Sequence, residues 1–246
     1  MNIVISKNPQ ELGKKAAKHT AELLNKAISE KGSARIVLST GASQFDTLKE
    51  LVKQDVDWSK VEMFHLDEYV NLSESHPASF RKYLKERFVQ QVPLKKAWFV
   101  NGEGDVQKNI QELTDAIRQA PIDVALIGIG ENAHIAFNDP PADFDTKEAY
   151  IVVTLDDDCK KQQVREGWFP TTDDVPKQAI SMSVYQIMQS KVIISCVPYE
   201  VKAKAVKATL ENDTTNRIPA TIMKEHPDFT LYIDEDSASL LPKDKY

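Results

Sequence analysis

The chain has 246 residues, 41% of them hydrophobic and 28% charged, with a formal net charge of −6 and two cysteines. That balance belongs to a soluble globular protein: no apolar run approaches the roughly 20 residues that cross a bilayer. The acidic total argues against a nucleic-acid partner, which calls for concentrated basic surface, while a small anion needs only backbone N–H groups and one or two cations.

The length suits one α/β unit, and no repeat, low-complexity tract or long linker divides residues 1–246, so a single domain is expected. Met1 to Ser6 reads as a first strand and lacks the basic and apolar segments of a signal peptide, which makes the cytoplasm the expected compartment. Asn8-Pro9 starts a helix whose apolar spacing, from Leu12 and Ala16 to Ala27 and Ile28, runs to Lys31-Gly32. Ala34 to Leu38 is a strand that enters Ser39-Thr40-Gly41-Ala42-Ser43, and Gln44 to Gln54 is helical again. Val61 to Leu66 is a strand ending in Asp67-Glu68-Tyr69-Val70; Ser79 to Phe88 forms a helix, Ala97 to Val100 a short strand and Asp105 to Gln119 a helix.

Asp123 to Ile127, closed by Gly128-Ile129-Gly130 and followed by Glu131-Asn132-Ala133-His134, reads as a buried strand that delivers polar groups to a loop at its carboxyl end. Tyr150 to Leu155 is a further strand, and Asp156 to Gly167 is helical in part. Gln178 to Ser183 leads to a short helix near Tyr185 to Gln189; Val192 to Val197 is a buried strand, Glu200 to Glu211 a helix, Phe229 to Ile233 a late strand and Asp236 to Leu241 a closing helical turn. This alternation predicts an α/β fold, a mostly parallel sheet with helices on both faces. The loops after Leu38, Leu66 and Ile127 then open on one edge, where such sheets bind ligands.

Each loop has two readings. The Ser39 to Ser43 loop faces the unpaired N–H groups and positive dipole end of the next helix, which suits a phosphate, but its hydroxyls also suit ordinary helix caps. Asp67 and Glu68 form a candidate general base or a solvated strand end. His134 is a reactive imidazole or a satisfied structural one. Lys202, on its residues alone, reads as a solvated helical lysine. Cys159 and Cys196 have no CxxC partner or metal-ligand spacing and are expected to be reduced.

In chain order, Ser39-Thr40-Gly41-Ala42-Ser43, Leu66-Asp67-Glu68-Tyr69-Val70, His76-Pro77-Ala78-Ser79-Phe80, Gly128 to Pro140, Asp174 to Met182, Lys202 to Val206 and Pro219 to His226 resemble the glucosamine-6-phosphate deaminase (isomerase) family. The resemblance covers nearly the whole chain. It implies a Rossmann-like fold shared with 6-phosphogluconolactonases and a metal-free, cofactor-free conversion of a hexosamine 6-phosphate to a ketose phosphate and ammonia. Asp67-Glu68-Tyr69-Val70 and His134-Ile135-Ala136-Phe137-Asn138 are similar to the deaminase versions.

The roles it implies are ring opening by His134, oriented by Asp139 where the family usually has Glu, and C2-to-C1 proton transfer by Asp67. Phosphate would lie on Ser39, Thr40, Gly41, Ala42 and Ser43, with Lys202 reaching in. Asn132 stands where the family has Asp and cannot exchange a proton as a base, though it can hydrogen-bond substrate; Glu131 is the neighbouring acid that would replace it. Ala42 replaces a common Gly, so its backbone must avoid positive φ. Arg165 is the one candidate for the family's substrate-binding arginine. The alternatives are a galactosamine-6-phosphate deaminase, a lactonase-like hydrolase in which Asp67 is dispensable, or a non-catalytic sugar-phosphate-binding protein. The family includes monomers and higher assemblies, so a homo-oligomer is among the expected states.

Overall fold

The computed structural model describes residues 1–242; the last four positions of the expected domain lie outside them. β1 (Asn2–Ser6) passes through Asn8 into α1 (Pro9–Lys31). Asn8 Oδ1 accepts the Glu11 N–H at 2.9 Å, and Gly32 ends the helix at φ 80°, a left-handed value open to a residue without Cβ. β2 (Ala34–Leu38), a 3-10 turn at Ala42–Gln44 and α2 (Phe45–Leu51) lead to β3 (Val61–His65). β4 (Asp67–Tyr69), α3 (Phe80–Leu84), β5 (Lys96–Ala97), α4 (Val106–Ile117) and β6 (Val124–Ile127) follow. The chain closes with β7 (Tyr150–Thr154), α5 (Asp157–Arg165), β8 (Gln178–Met182), α6 (Val184–Met188), β9 (Val192–Val197), α7 (Ala203–Glu211) and β10 (Phe229–Asp234).

Seven strands form one sheet in the order β1-β10-β9-β6-β2-β3-β5, and every neighbouring pair is parallel. Successive side chains of a strand point to opposite faces. Ile36, Leu38, Met63 and Leu126 therefore pack with α1, α2 and α3, while Val37, Phe64, Ala125 and Ile127 pack with α4, α6 and α7. Both faces are covered, as a parallel sheet requires. Among the described residues no helix is long and apolar enough to cross a membrane, and both cysteines are free and buried.

Three local features differ from the sequence reading. Asp67–Tyr69 is a strand of a second, antiparallel sheet, β4-β8-β7, and not a loop at the end of β3. Leu66 makes the joint, its carbonyl accepting the Met182 N–H at 2.6 Å. The strand expected over Ala97 to Val100 shrinks to Lys96–Ala97, because the Val100 N–H goes to the His65 Nε2 at 2.8 Å instead of a ladder carbonyl. Asp236 to Leu241 makes hydrogen-bonded turns without a regular helix.

Candidate active site

The carboxyl ends of β2, β3 and β6 open into one cavity lined by Ser39, Thr40, Gly41, Ser43, Asp67, Gly128, Gly130, His134 and Lys202. Asp67 is close enough to Asp139, the carboxylate beside His134, for their charges to interact, and Glu166, which faces Gly41 of the Ser39–Ser43 loop, interacts in the same way with Lys202.

His134 is delivered by a tight turn beyond β6. Gly130 N–H donates to the His134 carbonyl at 2.9 Å, and the Ala133 N–H donates to the Gly130 carbonyl at 3.0 Å. Ala133 at φ 64° and Ala136 at φ 51° are left-handed, which costs an L residue with a Cβ about 1 kcal/mol or more. The strain is held because the Ala133 carbonyl accepts the Ala220 N–H at 3.0 Å and the Asn138 amide donates to the carbonyls of Ile135 and Met182, each at 2.9 Å. Gly130 has no substitute there: a Cβ would lie 2.2–2.4 Å from the His134 ring.

The imidazole Nδ1 faces two acceptors, Asn132 Oδ1 at 2.6 Å and Asp139 Oδ1 at 3.2 Å. Nδ1 therefore carries the proton of the neutral ring, and Nε2 is the basic nitrogen. Asn132 Oδ1 also accepts the His134 N–H at 3.1 Å, and Asp139 Oδ2 accepts the Asp156 N–H at 3.1 Å. Burial pushes the Asp139 carboxyl up, but the hydrogen bond and charge of His134, with Asp156 N–H and Asn132, leave it below the usual carboxylate range. Asn132 and Asp139 stand behind the histidine and do not line the cavity.

Asp67 and Glu68 take opposite sides of β4. Asp67 faces the cavity at 7% exposure; burial first, then the charges of Glu68 and Asp139, push its carboxyl well above the usual range. Glu68 is fully buried and accepts from Ser79 Oγ at 2.8 Å, Arg81 Nε at 3.0 Å, Arg81 N–H at 3.1 Å and Tyr69 N–H at 3.0 Å. It is an anchor for α3, not a second base.

In the Ser39–Ser43 loop, Ser39 Oγ donates to the Leu126 carbonyl and accepts the Gly128 N–H at 2.9 Å, so its hydroxyl ties β2 to β6. Gly41 turns the loop at φ 96°, and its carbonyl accepts the Tyr83 hydroxyl at 2.7 Å. Ala42 does not line the cavity; it begins the 3-10 turn, and its carbonyl accepts from Tyr199 Oη at 3.4 Å. Lys202 is 3% exposed, against the solvated-lysine reading. Burial lowers its ammonium pKa, with Glu166 acting the other way.

Two candidates fall elsewhere. Arg165 points outward with its side chain 56% exposed, ion-paired to Glu131, so neither residue enters the cavity. The residues that sequence reasoning missed come from α5 and the aromatic cluster: Gln162, Gln163, Glu166, Phe80 and Phe137 all line the cavity. Gln163 Oε1 accepts the Tyr69 hydroxyl at 3.0 Å. Glu166 accepts from Gln162 Nε2 at 2.8 Å and Trp168 Nε1 at 3.1 Å, and its Oε2 lies 3.8 Å from where a Gly41 Cβ would sit. A pair of glutamines among the charged residues of α5 was the one available signal. For metal binding, His134, Asp139 and Cys159 bring their donor atoms within 4.8 Å of one another.

With a buried lysine, a small-residue loop, a carboxylate and an imidazole in its lining, the cavity has the groups to hold an anion and to move protons. The family described as glucosamine-6-phosphate isomerases/6-phosphogluconolactonase matches residues 7–231. A glucosamine-6-phosphate deaminase of Lactobacillus delbrueckii subsp. bulgaricus is 35% identical over 242 residues, covering 98% of this chain and 100% of its own. One from Thermoanaerobacter pseudethanolicus is 34% identical over 250 residues, covering 98% and 96%. The solved structure of a monomeric glucosamine-6-phosphate deaminase superposes with a TM-score of 0.89 at 30% identity, over 98% of this chain and 100% of that one. A 6-phosphogluconolactonase from Shewanella baltica shares the fold, with a TM-score of 0.79 at 18% identity over 95% and 97%. From the match along almost its whole length, the chain belongs to the glucosamine-6-phosphate isomerase/6-phosphogluconolactonase family.

Proposed function

We propose that this chain converts glucosamine 6-phosphate and water to fructose 6-phosphate and ammonia. The observation that carries the reading is the pairing, in one cavity, of a buried lysine beside a small-residue loop with a carboxylate and an oriented imidazole. The deaminase reading is preferred to lactone hydrolysis because the relatives at 34–35% identity bear that name over the full chain, whereas the lactonase likeness, at 18%, is one of fold.

The phosphate dianion sits against the Thr40–Ser43 backbone with Lys202 as a point charge. His134 Nε2 takes the proton of the anomeric hydroxyl and delivers it to the ring oxygen, breaking the C1–O5 bond; Asn132 and Asp139 hold the ring in the required tautomer. Asp67 then removes the C2 proton of the open aldehyde, the electron pair moves through C1 to the carbonyl oxygen, and that oxygen takes a proton from the substrate's own ammonium group to give the neutral enaminol. The same carboxyl returns the proton at C1, forming a ketimine at C2. Water adds at C2 and ammonia leaves. A raised pKa suits Asp67 to this exchange, because it makes a stronger base once ionised and a ready acid when protonated.

The chain, 1–246, acts on this reading as one sugar-phosphate domain in the cytoplasm. The test is release of ammonia and ketose phosphate from glucosamine 6-phosphate, with galactosamine 6-phosphate in parallel. Turnover of the gluco sugar establishes the reaction; turnover of the galacto sugar alone would change the substrate, and binding without turnover would leave a sensor.

A further inference from the structure

We propose that His134, Asp139 and Cys159 form an inhibitory site for a borderline-soft divalent cation, Zn²⁺ in particular. Binding rests on the geometry of the three side chains; inhibition rests on the role proposed above for His134.

The donor set is one imidazole nitrogen, one carboxylate oxygen and one sulfur, all within 4.8 Å of one another. Tetrahedral zinc, with bonds of about 2.0–2.3 Å, keeps its donors roughly 3.3–3.8 Å apart. The Nδ1 to Oδ1 separation is already 3.2 Å, so the sulfur needs only a small inward movement. Cys159 is fully buried at the start of α5, where its N–H donates to Asp156 Oδ1 at 2.8 Å. It does not line the cavity, whereas His134 does. A cation entering past the imidazole therefore meets the carboxylate and sulfur behind it, and one further ligand completes a four-coordinate shell.

The chemistry selects the metal. A set with sulfur and imidazole favours zinc and its analogues; magnesium and calcium want oxygen shells. Cys159 is a free cysteine and carries its thiol proton until a cation binds. A bound cation displaces that proton, forming a sulfur–metal bond and releasing H⁺ to solvent. Coordination at Nδ1 sends the proton of that nitrogen to Nε2, so Nε2 can no longer accept the anomeric proton and ring opening stops. The cation is thus an inhibitor and not a participant in the reaction.

The test begins with cobalt(II) added to the substrate-free, metal-stripped full chain. A thiolate-to-cobalt charge-transfer band in the near ultraviolet, saturating at one equivalent, is expected. The chain has two cysteines, so the assignment is binary: the band is lost in Cys159→Ser and kept in Cys196→Ser, with Cys159→Ala standing in where the serine variant fails to fold. No band, or one that survives loss of Cys159, overturns the site whether or not the chain is a deaminase. Zn²⁺ is then titrated into the ammonia assay, each variant normalised to its own metal-free rate. Inhibition that a chelator reverses, with the half-inhibiting concentration raised at least about tenfold in Cys159→Ser, is the expected result. A cobalt band without zinc inhibition overturns the inhibitory role.

Discussion

Asn132 Oδ1 lies 2.6 Å from His134 Nδ1, closer than the Asp139 carboxylate at 3.2 Å. The nearer partner of the imidazole is thus an amide, which fixes the ring without accepting its proton. Asn132→Ala removes this acceptor and the one for the His134 N–H. Its kcat on glucosamine 6-phosphate is expected to fall about 10–100-fold with KM little changed, because a small misplacement of a reacting group costs that much. Asn132→Asp, which restores the oxygen, should recover most of the rate. A loss confined to KM would instead put Asn132 on the substrate.

Asp67→Asn separates catalysis from stability. The folded carboxyl titrates above its unfolded value of 3.8, so between the two values the native chain binds more protons and stability falls as pH rises. The amide abolishes that dependence. Ammonia release is expected to drop by at least about 10³-fold, while the urea midpoint at pH 7 increases. A lower midpoint would mean that the charged form is stabilised in the native state. In the parent enzyme the acidic limb of kcat/KM should lie above the ordinary carboxylate range.

Gly130→Ala tests how the histidine is placed. The added Cβ, at 2.2–2.4 Å from the ring, must push His134 aside. Turnover should fall at least about 100-fold, whereas affinity for the phosphate end, read as inhibition by fructose 6-phosphate, stays near the parent value.

Lys202 and Glu166 are expected to act in opposite directions on KM. Lys202→Met removes the buried cation and should raise KM roughly 10–100-fold, the equivalent of a charge-assisted contact of about 1.5–3 kcal/mol. Glu166→Gln removes a carboxylate that faces the same loop as the incoming dianion, and KM should fall several-fold at low salt. An increase in KM would make Glu166 a direct ligand of the sugar.

Glu68→Gln leaves Arg81 buried beside a neutral amide. Breaking such a pair costs about 3–5 kcal/mol, reduced here because Arg81 keeps Glu103 at 3.0 Å and Asn101 at 2.9 Å. Urea denaturation should show a loss of roughly 2 kcal/mol or more. A neutral result would assign the hold on α3 to Ser79 and the backbone donors.

Local signals placed most of the fold. Asn8 and Gly32 mark the ends of α1 because a cap and a left-handed stop are chemically specific, and β2 and β9 are bounded as their apolar runs suggest. Pairing partners carry no such signal. Nothing in Asp67-Glu68-Tyr69 says that Ser181 to Ala179 lies opposite, so the second sheet was invisible. Lys202 misled for a related reason: among Lys204 and Lys207 it looks like one more solvated lysine, yet Tyr199 at φ 82° turns the chain so that it points inward. Arg165 and Glu131 are adjacent only after α5 folds over the loop, and their pairing takes both away from the cavity.

Asp67 begins β4 just past the joint at Leu66, so the carboxylate proposed to abstract the proton belongs to the antiparallel sheet and the proposed phosphate loop follows a strand of the parallel one. The two halves of the task can therefore drift apart in evolution. Substitutions along β7 and β8 re-aim the carboxylate without touching the Ser39–Ser43 loop. A lineage built on this scaffold exchanges one phosphorylated sugar for another at little cost, whereas giving up the phosphate means rebuilding the more deeply packed layer.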